Sequence, residues 1–190
     1  MFDYFGVLIS VILGLALTHL LRGLARLIQM RREVRPYWVH ILWTINVVVF
    51  VLAIWWGMFW WRGLQSWSFE WFFFIALYAI ALFMWASMLY PPEFSHGLDF
   101  EQYFFANRYW FFGIQSAVVL FDVVETLQKG AEHLRSVPGP YAFLIAAFLV
   151  ITVVGMITSK RLVHGLLAVA WSATILSYLF FSAVARIVEH

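Results

Sequence analysis

Trp71 to Tyr90 reads WFFFIALYAIALFMWASMLY, a run that contains no charged residue. An α-helix rises 1.5 Å per residue, so about 20 apolar residues cross the ~30 Å hydrocarbon core of a bilayer. This run has that length and character and predicts a transmembrane helix. Five further stretches fit the same template, at 4–24, 38–60, 109–127, 141–158 and 162–188, with the first run placed at 70–90. Strands of a membrane barrel alternate in polarity and last about ten residues, whereas these stretches are continuous and about twice as long. The expected fold is therefore all-α: a single transmembrane domain over 1–190, built as a six-helix bundle. Only Ser159-Lys160-Arg161 separates the last two stretches, which predicts a tight hairpin.

Composition supports that class. Charged residues are 12% of the chain and hydrophobic ones 64%, with a mean hydropathy of +0.87. A water-soluble domain carries roughly a quarter charged residues; too few are present here to coat a surface facing water. The absence of cysteine excludes disulfides, thiolate metal sites and thiol chemistry. A net charge of +2 gives no basis for nucleic-acid binding.

The distribution of basic residues predicts an orientation. Met1-Phe2-Asp3-Tyr4 lacks the positive start of a cleavable signal, whereas Arg22, Arg26, Arg31, Arg32 and Arg35 follow the first stretch. By the positive-inside rule this connection is cytoplasmic and both termini lie outside, as expected for a bacterial cytoplasmic membrane. Six crossings then place Arg108, Lys160 and Arg161 inside as well, and Arg62, Lys129, Arg135 and Arg186 outside. The outer connection near Arg62 is rich in tryptophan (Trp55, Trp56, Trp60, Trp61, Trp67, Trp71), read as an interfacial aromatic belt rather than a ligand platform. Between Pro91 and Arg108, Asp99-Phe-Glu-Gln102 resembles a capping box that opens an amphipathic turn carrying Phe100, Tyr103, Phe104 and Phe111.

Read at every fourth residue, the first helix presents Gly6, Ser10, Gly14, Thr18, Arg22 and Arg26 on one face. Gly6, Ser10 and Gly14 form a small-residue stripe that lets two helices approach closely in lipid. Aligning Phe5 with Phe112 also matches Gly6 with Gly113, Val11 with Val118, Leu13 with Leu120, Leu20 with Leu127, Gly23 with Gly130 and Leu27 with Leu134. Pro36-Tyr37 and Pro140-Tyr141 precede the second and fifth helices. These matches point to a 3+3 repeat of inverted orientation, a plan that recurs in secondary transporters. The prolines, all in connections, show none of the broken helices that often accompany that plan.

Ionisable groups inside a membrane mark functional sites by default. Asp122 is the foremost candidate, and Glu125 lies one turn further on the same face, with Lys129 four residues on from Glu125. Asp122 reads either as a proton or cation site or as half of a buried ion pair; the Glu125–Lys129 spacing favours a structural pair. His19, beside Thr18 and three residues from Arg22, reads either as an interhelical hydrogen-bonding group or as a protonation site coupled to transport. His40 and His164 fall near the inner ends of their helices, but no HxxxH or ExxH spacing accompanies them. Asn46, Gln115, Ser172, Thr174 and Ser177 are expected to bond across helix contacts.

No nucleotide loop, nucleophile elbow or zinc motif occurs, so no enzymatic activity, metal or cofactor is expected. The leading functional reading is a small transporter or channel, proton- or cation-linked, with Asp122, Glu125, His19, Thr18, Arg22 and Lys129 as its candidate ion-site residues. The alternative is an accessory subunit packed against partner membrane proteins; haem-binding electron transfer is the third. The expected partners are the lipid bilayer and either further copies of the chain or a partner membrane protein.

Overall fold

The computed structural model describes residues 2–58, 61, 68–130 and 141–188, with side chains between 5 and 181. Among them are six helices: α1 (Phe2–Gln29), α2 (Trp38–Gly57), α3 (Phe69–Ser87), α4 (Phe100–Gln128), α5 (Tyr141–Ile157) and α6 (Arg161–Val188). Trp60, Arg62, Trp67, His133, Leu134, Arg135 and Pro140, together with the side chain of Arg186, lie outside the described residues. All helices but α5 are long and apolar enough to cross a membrane; α5 has 17 residues. Leu162, Ile157, Phe143, Phe69 and Trp110 are each at least 70% exposed, a surface that suits lipid and not water.

Local chemistry sets the helix ends. The Ser68 hydroxyl accepts from the Trp71 N–H and starts α3, while the Asp99 carboxylate accepts from the N–H groups of Glu101 and Gln102 and starts α4. The predicted fourth span therefore begins nine residues earlier than its apolar run. The turn that carries Phe100 and Phe104 is the buried first part of α4 itself. Here helical structure continues past the stretch that hydropathy can detect.

The helices close into a ring in the order α1, α3, α4, α5, α6, α2 and back to α1, with α2 also touching α3 and α4 across it. The centre is filled by rings: Trp43 and Phe50 of α2, Trp85 of α3, Phe111 and Phe112 of α4, Phe148 of α5 and Trp171 of α6. Phe148 stacks on Trp171 with centroids 3.7 Å apart, and all three tryptophans are fully buried. In this ring α3 neighbours α1, whereas α5 separates α4 from α6, so the helix order does not repeat between the two halves.

The face of α1 that packs inward carries Ile9, Leu13, Ala16, Leu20 and Leu27. Its tightest approach is at Gly23, where a Cβ would run into the Tyr90 ring. The small-residue stripe points elsewhere: Gly6 and Gly14 are half-buried, and Ser10, Thr18 and Arg22 are exposed. The Trp55 indole donates to the Ser10 hydroxyl at 3.2 Å. At the arginine-rich end, the α1–α2 and α3–α4 connections pair through backbone bonds. Gly97 N–H donates to Glu33 O, Arg35 N–H to Leu98 O, and Phe100 N–H to Arg35 O, at 2.8, 2.8 and 3.0 Å. The Arg35 guanidinium also faces the Asp99 carboxylate at 3.8 Å.

Candidate functional site

At the other end of the bundle, α3, α4 and α5 bring a group of polar side chains together. Asp122 stands six residues before the last residue of α4, about 9 Å along the axis. Tyr141 is the first residue of α5, so the carboxylate is level with that helix's first turn and lies near the membrane face. Two phenols hold it: Tyr78 of α3 donates to Oδ1 at 3.3 Å, and Tyr141 donates to Oδ2 at 2.9 Å. The Tyr141 oxygen is also 2.9 Å from the Thr126 hydroxyl. A phenol has one proton and a carboxylate can only accept, so the Tyr141 proton goes to Asp122 and the Thr126 hydroxyl supplies its own to Tyr141. The result is a chain of three groups, Thr126 to Tyr141 to Asp122. Phe121 stacks on Tyr78 at 5.7 Å and covers it.

Glu125, one turn on, has a different environment. Its Oε1 is 2.7 Å from the Lys129 ammonium and accepts from the Trp61 indole at 2.7 Å. Lys129 also lies over the Trp61 ring, 5.6 Å from its centroid. Trp61 in turn packs on Trp71, with centroids 5.2 Å apart. The Glu125–Lys129 pair foreseen from the spacing is present, and both side chains are buried, 12% and 8% exposed. Glu125 is thus neutralised. Among the described residues, no cation lies within ion-pair distance of Asp122.

One line on α4 joins this site to the rest of the helix. Arg108, Gln115, Asp122 and Lys129 recur every seven residues, close to two full turns, so they lie along one face. Successive members are about 10 Å apart along the axis, and the line spans roughly 31 Å. Gln115 is fully buried; its amide donates to Thr152 of α5 at 2.7 Å, while its Oε1 has no partner among the described residues. Between Gln115 and Asp122 the interior is apolar, with Val118 and Val119 buried.

His19, Thr18 and Arg22 are not part of this cluster. His19 is half-buried and sits edge-on to Tyr90, centroids 6.3 Å apart, at the arginine-rich end. His40 and His164 are fully buried at that same end. Nε2 of His40 bonds Leu89 O, and Nε2 of His164 bonds Thr158 O. A carbonyl can only accept, so both rings carry their proton on Nε2. Tyr90 and Phe100 pack on His40, and Phe104, Phe105 and Phe112 surround His164. Among the described residues, no three His, Asp or Glu side chains come together as a metal site.

Tyr78, Tyr141, Thr126 and Trp61 are site residues that the sequence reading does not identify. The tyrosines resemble interfacial residues at helix ends, and Trp61 lies outside any periodic segment. The seven-residue recurrence on α4 was the signal available. Compared with known proteins, the chain matches no family model, no curated protein and no solved structure.

Proposed function

We propose that the chain is a small membrane transporter or channel, proton- or cation-linked, with Asp122 as its ion site. One observation carries this reading: Asp122 is held by the hydroxyls of Tyr78 and Tyr141 with no cation within ion-pair distance among the described residues, while Glu125 beside it is matched to Lys129. A partly buried carboxylate with hydroxyl partners keeps a negative charge available for a proton or a monovalent cation. The line from Arg108 through Gln115 to Asp122 and Lys129 supports a route along the α4–α5 contact, because it gives a polar foothold every ~10 Å across the hydrocarbon. A route down the bundle axis has no such support, since that axis is filled by Trp43, Trp85, Trp171 and their aromatic neighbours. In this reading α5 is a sixth span, the arginine-rich end faces the cytoplasm, and the membrane is the bacterial cytoplasmic one. The 3+3 repeat is not used.

The test is flux through proteoliposomes under an imposed pH or cation gradient. Asp122→Asn keeps the size and hydrogen-bonding capacity of the side chain but removes its charge, and it is expected to abolish the flux without altering thermal unfolding. Wild-type flux from this variant removes Asp122 from the mechanism.

The aromatic filling of the axis favours a second reading, an accessory subunit that carries nothing itself and packs against a partner membrane protein. Native mass measurement after mild detergent extraction separates the two. Recovery of the chain alone or as copies of itself fits the transporter, and recovery only with a foreign protein fits the accessory role.

A further inference from the structure

Among the described residues, the side chains hydrogen-bonded to the Asp122 carboxylate are both phenols, Tyr78 on Oδ1 at 3.3 Å and Tyr141 on Oδ2 at 2.9 Å. A hydroxyl can donate and accept at once. With the carboxylate ionised, the hydrogen bonds run from Thr126 to Tyr141 to Asp122. Once Oδ2 carries a proton, the same contacts hold in the opposite sense. Oδ2–H then donates to the Tyr141 oxygen, and the Tyr141 O–H to the Thr126 oxygen 2.9 Å away. The Thr126 O–H turns to the carbonyl four residues earlier, a bond that helical threonines commonly make; that residue is Asp122 itself. One proton is gained, one carboxylate charge is neutralised, and each hydroxyl keeps a single proton. No heavy atom has to move, and Oδ1 still accepts from Tyr78.

A metal cation fits these contacts poorly. It must exchange its hydration shell for oxygen ligands, and here the phenol oxygens already touch the carboxylate. The cation would have to part them and turn two phenol protons aside. Tyr78 is buried and stacked on Phe121, and among the described residues its hydroxyl has no acceptor besides Asp122. Turning it aside would leave a buried donor unpaired, which is costly. The other titratable groups around the carboxylate do not take its place. Glu125 is bound to Lys129 and Trp61, and Tyr178 of α6 packs on the Tyr141 ring, centroids 6.5 Å apart.

Resting on the reading of Asp122 as the ion site, we propose that the ion bound there is a proton, one per chain, and that the Tyr141–Thr126 hydroxyl pair accommodates it by reversing its hydrogen bonds. The full chain in lipid vesicles is titrated with acid and followed by infrared difference spectroscopy, which reads the C=O stretch of a protonated carboxylic acid. Wild type should gain one such band, equally in choline, sodium or potassium chloride, and Asp122→Asn should lose it. Tyr78→Phe should move the band to higher wavenumber, because Oδ1 then lacks its donor. Thr126→Val removes the acceptor that Tyr141 needs in the protonated state. At the pH where wild type is half protonated its band should be about threefold weaker, and Thr126→Ser should restore it. If Asp122→Asn fails to fold, as judged by thermal unfolding, the Tyr78→Phe displacement assigns the band. Absence of an Asp122 band down to the pH of unfolding, or its suppression by sodium or potassium, overturns the proposal. A band unchanged in Thr126→Val overturns the reversal. Flux separates this inference from the transport reading. An Asp122 band without flux under either gradient removes transport and leaves the proton site standing. Flux driven by a sodium or potassium gradient at equal pH leaves the transporter and overturns the proton.

Discussion

The Tyr141 hydroxyl, on the first residue of α5, donates to Asp122 Oδ2 at 2.9 Å and so fastens the start of one helix to the end of its predecessor. The same oxygen is 2.9 Å from Thr126, so a single phenol organises two of the polar groups of α4 at this level.

Replacing Tyr141 with Phe removes the proton that Asp122 accepts and leaves Thr126 without that partner. A hydrogen bond to a charged group is worth roughly 1.5–3 kcal/mol, so proteoliposome flux should fall at least tenfold. Tyr78→Phe removes the longer, 3.3 Å bond and should have the smaller effect. If both variants transport at the wild-type rate, the phenols only pack.

Two glycines of α1 should respond in opposite ways. A Cβ at Gly23 collides with the Tyr90 ring, while one at Gly14 meets nothing within 4 Å. Gly23→Ala forces the ring or the helix to move and should destabilise by about 1–3 kcal/mol. Gly14→Ala gains helix propensity of up to about 1 kcal/mol and should be neutral or stabilising. Thermal unfolding of the two variants side by side checks the assignment of the packing face.

Asn46 of α2 clamps α6 by donating to Ala168 O at 3.0 Å and accepting from the Ser172 hydroxyl at 2.6 Å. Polar contacts between membrane helices average about 0.6 kcal/mol and reach about 1.7. Ser172→Ala should fall near the lower figure and Asn46→Leu near or above the upper one, because the second change removes both bonds across the contact, while the Ser172 hydroxyl keeps Ala168 O as an acceptor at 3.0 Å. Unfolding in mixed detergent measures both.

Tyr37, just before α2, gives an alkaline signature. Burial, with a smaller contribution from the Glu101 charge, pushes its phenol up to about 12 from an ordinary value near 10. In the folded state the neutral form is the one favoured. Its contribution to stability is therefore complete below pH 10 and is lost as pH rises through 12. The buried hydroxyl has no hydrogen-bond partner among the described residues. Tyr37→Phe should not lower stability at neutral pH and should flatten the decline between pH 10 and 12, followed by thermal unfolding. A decline as steep as in wild type would assign the alkaline loss to other groups.

How far the sequence could be read depends on the element. The apolar segments were visible because Trp71–Tyr90 lacks charge over a bilayer's thickness and its counterparts carry at most two charged residues each. The start of α4 was not, because Glu101, Asn107 and Arg108 lower the hydropathy where the helix is nonetheless capped by Asp99. The ring order was hidden for another reason. Helices that are hydrophobic all round, as α2, α3 and α5 are, do not show which face is buried. Asp122 was legible as an acid in an apolar run, and Glu125–Lys129 as a helical pair. The phenols of Tyr78 and Tyr141 were not, since they come from two other helices and their meeting depends on the packing of α3 and α5 around α4.

The polar line on α4 has a consequence for biosynthesis. When α4 enters the membrane, Gln115 and Asp122 are already on its surface, but α5, which carries Tyr141 and Thr152, enters after it. Until α5 follows, Asp122 has Tyr78 as a partner, and Gln115 lacks Thr152. A chain truncated between residues 130 and 141 therefore keeps the line but lacks these α5 partners, and it should be degraded faster than one truncated after α5.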